Sequence, residues 1–185
     1  MGIVRVIHSS SHSKHCIGII VCHNHLCAIF AQMASNACLN PVRGKNGLLG
    51  DTPGLHPADV YLPDLWGSPA AVDFAITCPL QPRYKNCEEP AEQYAITQKH
   101  KKYDSGFEKT NITFIAAVAD SFGGWTKEGE EVIIEVARRG ARRLLEVVSM
   151  YVAHCWTKLS ISLQTDIACM MLSRIPLPSS NDNWV

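Results

Sequence analysis

Two short apolar runs, each carrying a single aspartate, constrain the fold of this chain more than any other feature. The first run is His56-Pro57-Ala58-Asp59-Val60, and the second is Val72-Asp73-Phe74-Ala75-Ile76. Residues 63–69 between them are rich in Pro, Gly and Asp, a composition typical of turns. The pattern therefore predicts a β-hairpin with one carboxylate on each strand.

The two aspartates of this hairpin are candidate metal ligands. Facing side chains on adjacent antiparallel strands stand roughly 4.5–5.5 Å apart. Two carboxylates at that separation repel each other unless a cation or a proton lies between them. Because oxygen ligands favour Mg²⁺ or Mn²⁺ over zinc, we expect Asp59 and Asp73 to bind one of these ions. The alternative is that both are ordinary turn or strand-end aspartates beside Pro and Gly.

The segment 91–109 is predicted to be a helix that carries basic residues. It consists mostly of good helix formers and has no internal Gly or Pro before Gly106. The helical repeat places Lys99, Lys102 and Tyr103 on one face. A lysine beside a metal-bound water and a phosphate stabilises the charge that develops on the phosphate. Lys99 and Lys102 are therefore both candidate catalytic residues, and the alternative is a solvated basic face.

The ordered set of motifs resembles a known family. It is similar to the restriction-endonuclease-like domain, of the PD-(D/E)xK type, at the C-terminus of early-branching non-LTR retrotransposon polyproteins. The resemblance covers residues 23–176. The matching pieces are His23-Asn24-His25-Leu26, Pro57-Ala58-Asp59-Val60, Val72-Asp73-Phe74-Ala75-Ile76-Thr77, Lys99-His100-Lys101-Lys102-Tyr103, Ser121-Phe122-Gly123-Gly124-Trp125, Leu159-Ser160-Ile161-Ser162-Leu163-Gln164 and Ser173-Arg174-Ile175-Pro176.

The resemblance implies both a fold and an activity. It implies an α/β fold with a restriction-endonuclease-like core of order α-β-β-β-α-β, a small mixed sheet flanked by helices, and a C-terminal helical pair. It also implies Mg²⁺-dependent nicking of DNA, with Asp59 and Asp73 as metal ligands and Lys99 or Lys102 as the active lysine. Tyr103 would support that lysine or contact the DNA backbone. The lysine that usually follows the second acid on the same strand is replaced here by Ala75.

Several positions depart from the family pattern. His56 and Cys22 stand where basic residues are expected. The glutamate expected on the strand before the Pro-Ala-Asp run is also missing, since the first acidic residue of the chain is Asp51. These departures predict a weakened or inactive nuclease. The alternative is a non-catalytic DNA-binding or structural relic that keeps the fold.

The charge of the chain limits how it can attract DNA. Its 17 Lys and Arg residues balance its 17 Asp and Glu residues, so the formal net charge is zero. Attraction to DNA must then come from local patches. Arg138, Arg139, Arg142 and Lys101 are the candidate phosphate contacts, and the alternative is a solvated helix face balanced by nearby glutamates.

The spacing of the cysteines indicates the cellular location of the protein. Eight cysteines at irregular spacing do not form a secreted disulfide framework, which favours reduced thiols in an intracellular protein, nuclear if functional. No segment is predicted to cross a membrane, and no protein partner is indicated.

In the resembling family a zinc knuckle precedes the His-Asn motif, and His12 and Cys16 look like its last two ligands. Because the first two cysteines are absent and no Cys-x₂-Cys pair occurs in the N-terminal histidine and cysteine cluster, which also includes His23 and Cys27, we expect no zinc there.

The predicted organisation has four parts. They are a disordered or remnant arm over 1–16, the nuclease-like core over 17–125, a helical extension over 126–176 and a tail over 177–185. The predicted helices span 19–37, 91–109, 130–156 and 159–172. The predicted strands lie near 46–50, 58–62, 71–77 and 112–119.

Overall fold

The computed structural model describes residues 12–50 and 56–174, with side chains from residue 20 onward. The described chain is a mixed α/β structure built on a four-stranded sheet. The strands are β1 (Val42–Arg43), β2 (Val60–Leu62), β3 (Ala70–Thr77) and β4 (Thr113–Asp120). They lie in the order β1-β2-β3-β4, with antiparallel pairing from β1 to β3 and parallel pairing of β3 with β4.

Helices cover the sheet and follow the predicted α-β-β-β-α-β order, with two further helices after β4. They are α1 (His12–Asn36), α2 (Pro90–Tyr94), α3 (Lys101–Phe107), α4 (Lys127–Leu144) and α5 (Val148–Leu172). A π-helical segment, Ala95–His100, joins α2 to α3, so the predicted helix over 91–109 is present as one continuous element. None of the helices in the described ranges is long and apolar enough to span a membrane.

The side chains of β3 point alternately to the two faces of the sheet, and each face packs against a different part of the interior. Val72 and Phe74 pack into the large core that includes residues of α1, α4 and α5. Ala71 and Ala75 pack into smaller clusters with residues of α2, α3 and the π-helical segment. Because successive strand side chains point to opposite faces, Asp73 belongs to this second side. The fold thus places a carboxylate beneath the α2–α3 segment.

The first strand differs from its predicted position. It was predicted near 46–50, but β1 spans only Val42–Arg43. Gly44 and Gly47 have positive φ angles of 58° and 71°, so the backbone turns where the strand was expected. Leu48 and Leu49 lie in a loop but are still buried, because their side chains pack in the hydrophobic cluster that contains Tyr103 and Phe107.

The helices after β4 also differ from the prediction. The expected helix over 130–156 is interrupted at Leu145, which has left-handed backbone angles (φ 58°, ψ 33°). The chain then enters α5, which also contains the segment predicted as a separate last helix. Gly140 permits close packing of the two helices, since a Cβ there would lie 3.0 Å from Tyr151 Cε1.

The ends of the chain are only partly described. Helix α1 begins at His12, so the last residues of the predicted N-terminal arm are helical rather than disordered. Residues 1–11 and the predicted tail over 177–185 lie outside the described residues.

Replacing Leu145 with glycine should stabilise the protein. The Leu145 side chain is 93% exposed, so its loss removes little packing. A left-handed conformation costs a non-glycine residue roughly 1–2 kcal/mol, which exceeds the roughly 0.5–1 kcal/mol entropic cost of glycine. We expect Leu145→Gly to raise the free energy of unfolding by about 0.5–1 kcal/mol in urea denaturation. Glu146→Gly, at a neighbouring exposed position without positive φ, is the control and should give no gain.

Candidate active site

The β2–β3 hairpin brings Asp59 and Asp73 together. Val60 pairs with Val72, and the Asp59 N–H donates to the Val72 carbonyl at 3.0 Å. Asp59 directly precedes β2, and its Oδ2 accepts a hydrogen bond from the Phe74 N–H at 2.7 Å, so its carboxylate lies beside Asp73 at the end of the β2–β3 pairing. The two carboxyl groups are close enough to hydrogen-bond when one of them is protonated. The predicted hairpin therefore forms, with both carboxylates facing one location.

Asp73 is the buried member of the pair. Its side chain is only 8% exposed, and its Oδ2 lies 2.6 Å from Lys99 Nζ. That oxygen accepts no well-aligned hydrogen bond from the described residues. The Lys99 ammonium is therefore the main group that offsets the cost of burying the Asp73 charge. Burial raises the pKa of the Asp73 carboxyl to about 6; Lys99 opposes this rise and Asp59 adds to it.

Asp59 is held by two donors. His23 Nε2 lies 3.0 Å from Asp59 Oδ2, and the Phe74 N–H donates to the same oxygen at 2.7 Å. Burial alone would raise the pKa of Asp59, but these donors, together with the charges of His23 and Lys99, lower it. The hydrogen bonds to Asp59 and Cys27 raise the pKa of His23 to about 10. Asp59 is thus an anion paired with a cationic imidazole.

The π-helical segment positions Lys99. Its next residue, His100, bonds to carboxylates on both sides: Nδ1 lies 2.9 Å from Asp104 Oδ1 and Nε2 lies 2.6 Å from Glu128 Oε1. Because Glu128 belongs to α4, His100 links the segment to another helix. Burial would lower the pKa of Lys99, but the ion pair with Asp73 raises it. Lys99 is therefore a charged group held at the aspartates.

Lys102 and Tyr103 do not join this group. Tyr103 is buried and packs on Phe114, with ring centroids 5.4 Å apart. Lys102 is exposed, with its Nζ 4.6 Å from the Tyr103 ring centroid. Among the described residues neither side chain bonds to Asp59 or Asp73. Lys99 and Tyr103 therefore reach different groups: Lys99 pairs with Asp73, whereas Tyr103 packs in the cluster that contains Phe107.

The sequence did not predict the contact of two residues of α1 with Asp59. Helix α1 brings His23 and Cys27 to Asp59, and one ligand atom from each of the three lies within 4.8 Å of the others. The signal in the sequence was the spacing of four residues between His23 and Cys27, which puts both on one helix face. Gly44, in the region where a glutamate was expected, contributes its backbone N–H to the Asp59 carbonyl, at 2.9 Å.

The other candidate residues lie apart from the aspartates. Arg138 and Arg142 are exposed on α4, and Lys101 is exposed at the start of α3. Arg139 Nε is paired with Glu135 Oε1 at 2.7 Å. The side chains of the suspected zinc ligands His12 and Cys16 lie outside the described part of the structure.

Comparison with known proteins does not assign the chain to a family. No family model matches the chain, and no curated protein or solved structure is significantly similar to it. What the family resemblance implies about function therefore stands as a proposal.

Removing the Lys99 charge should raise the pKa of Asp73 further. The ammonium is what opposes the effect of burial on this carboxyl, so Lys99→Met should shift the Asp73 pKa above about 6. Carboxyl ¹³C NMR titration of the metal-free protein in EDTA measures the shift. Lys102→Met removes an exposed lysine from the same helical element and should leave Asp73 unchanged. Equal shifts in both variants would contradict a specific Lys99–Asp73 pair.

Proposed function

We propose that this chain is a restriction-endonuclease-like domain of retrotransposon origin that nicks DNA phosphodiesters with Mg²⁺ or Mn²⁺. One observation carries the proposal: the Asp59 and Asp73 carboxyl groups lie close together at the β2–β3 hairpin, and Lys99 Nζ lies 2.6 Å from Asp73 Oδ2. Two acids and a lysine at one point are groups that serve metal-dependent phosphodiester cleavage. The α-β-β-β-α-β order of elements is consistent with the same fold.

The aspartate pair suits a hard divalent cation. The two carboxylates converge, and Asp73 Oδ2 has no well-aligned hydrogen bond among the described residues. Mg²⁺ accepts one or two protein carboxylates and keeps several waters, so Asp59 and Asp73 are sufficient as its protein ligands. When bound, the ion would polarise the phosphate and lower the pKa of the attacking water.

The remaining groups have definable roles around that pair. Lys99 supplies positive charge where negative charge develops on the phosphate during attack. His23 and the Phe74 N–H fix the orientation of the Asp59 carboxylate through Oδ2. His100 positions Lys99 by linking its segment to Asp104 and Glu128.

The same contacts explain why we propose weak activity. The expected third carboxylate is missing, and the side chains beside Asp59 are those of a histidine and a cysteine. Lys99 is ion-paired with Asp73, and its side chain must reorient before it can contact a phosphate. Misplacement of reacting groups by ~1 Å can cost about a hundredfold in rate. Weak nicking that is stronger with Mn²⁺ than with Mg²⁺ is the consequence.

A plasmid-nicking assay tests the proposal. We expect slow conversion of supercoiled to open-circular DNA with Mn²⁺, and none in EDTA. Asp59→Asn, Asp73→Asn and Lys99→Met should each abolish it. Lys102→Met is the matched control and should retain it, because Lys102 is exposed and bonds to neither aspartate. Nicking that survives Asp73→Asn would mean that the activity arises elsewhere.

A non-catalytic DNA-binding role is the second candidate, and the exposed arginines of α4 favour it. Arg138 and Arg142 form no ion pair among the described residues, whereas Arg139 is paired with Glu135. If both exposed arginines contact phosphates, the double variant Arg138→Gln/Arg142→Gln should reduce the slope of log affinity against log salt by about 2. Fluorescence anisotropy with duplex DNA measures it. Arg139→Gln should change the slope less, and an unchanged slope in the double variant would exclude α4 as the contact surface.

A further inference from the structure

Helix α1 presents an imidazole and a thiol to the Asp59 carboxylate. His23 Nε2 lies 3.0 Å from Asp59 Oδ2 and 3.8 Å from Cys27 Sγ. The thiol is buried, whereas the His23 and Asp59 side chains are 28% and 25% exposed. Solvent therefore reaches the cluster from the side of the histidine and the aspartate.

These separations suit ligands of one tetrahedral ion. With Zn–N of roughly 2.0–2.1 Å and Zn–S of about 2.3 Å, a nitrogen and a sulfur ligand of the same ion stand roughly 3.5 Å apart. The His23–Cys27 separation of 3.8 Å is close to that value. The other ring nitrogen, Nδ1, lies 3.4 Å from Asn24 Oδ1, so it can carry the ring proton and leave Nε2 for a metal.

We infer that His23, Cys27 and Asp59 form a binding site for a soft divalent cation of the zinc class, with its fourth position open to solvent. Nitrogen and thiolate ligands select zinc over magnesium. This site uses neither His12 nor Cys16, and it departs from the expectation of no zinc, because Asp59 supplies a ligand from outside the N-terminal histidine and cysteine cluster. The cation replaces the proton that His23 shares with Asp59 and the proton of the Cys27 thiol.

The two candidate metal sites share one residue. Asp59 serves the zinc-class site with His23 and Cys27, and it serves the proposed nuclease site with Asp73. One carboxylate held by a tightly bound soft ion is no longer free to hold a hard ion in the productive arrangement. Zinc should therefore inhibit Mn²⁺-supported nicking. This last consequence rests on the proposed function, whereas zinc binding itself does not.

Cobalt substitution tests the site without any reference to activity. We expect the full chain to bind Co²⁺ and Zn²⁺ competitively, with a near-ultraviolet thiolate-to-cobalt charge-transfer band. Cys27→Ser should remove the band, and His23→Gln should weaken Zn²⁺ binding by at least the roughly 10–100-fold that loss of a ligand's supporting partner costs. Cys22→Ser is the matched control, because Cys22 is also buried on α1 but is not part of the cluster. Circular dichroism checks that each variant is folded.

The aspartate variants separate this inference from the proposed function. Asp59→Asn should weaken Zn²⁺ binding and abolish nicking, whereas Asp73→Asn should abolish nicking and leave Zn²⁺ binding intact. A charge-transfer band that persists in folded Cys27→Ser, or Zn²⁺ affinity that is unchanged in both His23→Gln and Asp59→Asn, would overturn the site. Absence of nicking in every sample would overturn the proposed nuclease and leave the zinc result unaffected.

Discussion

The ion pair between Asp73 and Lys99 holds the arrangement of the site together. Asp73 is in the interior of β3, where a carboxylate without compensation is strongly unfavourable. The compensation comes from a lysine on the π-helical segment, at 2.6 Å. Removing one partner of a buried ion pair typically costs about 3–5 kcal/mol, so the packing of this segment on the sheet and the chemistry of the site are linked. His100 reinforces the link by joining the segment to α4.

Asp59 has the opposite character. It lies just before β2, is partly exposed, and accepts hydrogen bonds from His23 and from the Phe74 backbone. Its pKa is lowered whereas that of Asp73 is raised, because Asp59 has a cationic imidazole beside it and Asp73 is more deeply buried. The two neighbouring carboxylates therefore differ in how readily they take up a proton, and a bound cation would favour the ionised form of both.

The local parts of the structure could be predicted because they depend on short-range rules. The hairpin followed from two β-branched runs and a turn-rich connector, and it brings the carboxyl groups of Asp59 and Asp73 close together. The helix carrying Lys99 followed from its residue composition. The β1 position and the break at Leu145 were missed, because positive φ angles at Gly44, Gly47 and Leu145 redirect the backbone in ways that hydrophobic periodicity does not reveal.

The residue pattern alone is enough to put two carboxylates at one hairpin and a lysine on the helix that follows. Which lysine reaches them depends on the packed chain, because Lys99 and Lys102 lie on the same helical element and only its packing against the sheet brings Lys99 to Asp73. The approach of His23 and Cys27 to Asp59 also depends on it, since His23 and Asp59 are 36 positions apart in the chain. Such contacts follow from how α1 packs against the sheet, and that packing is set by the whole core rather than by the spacing of a few residues.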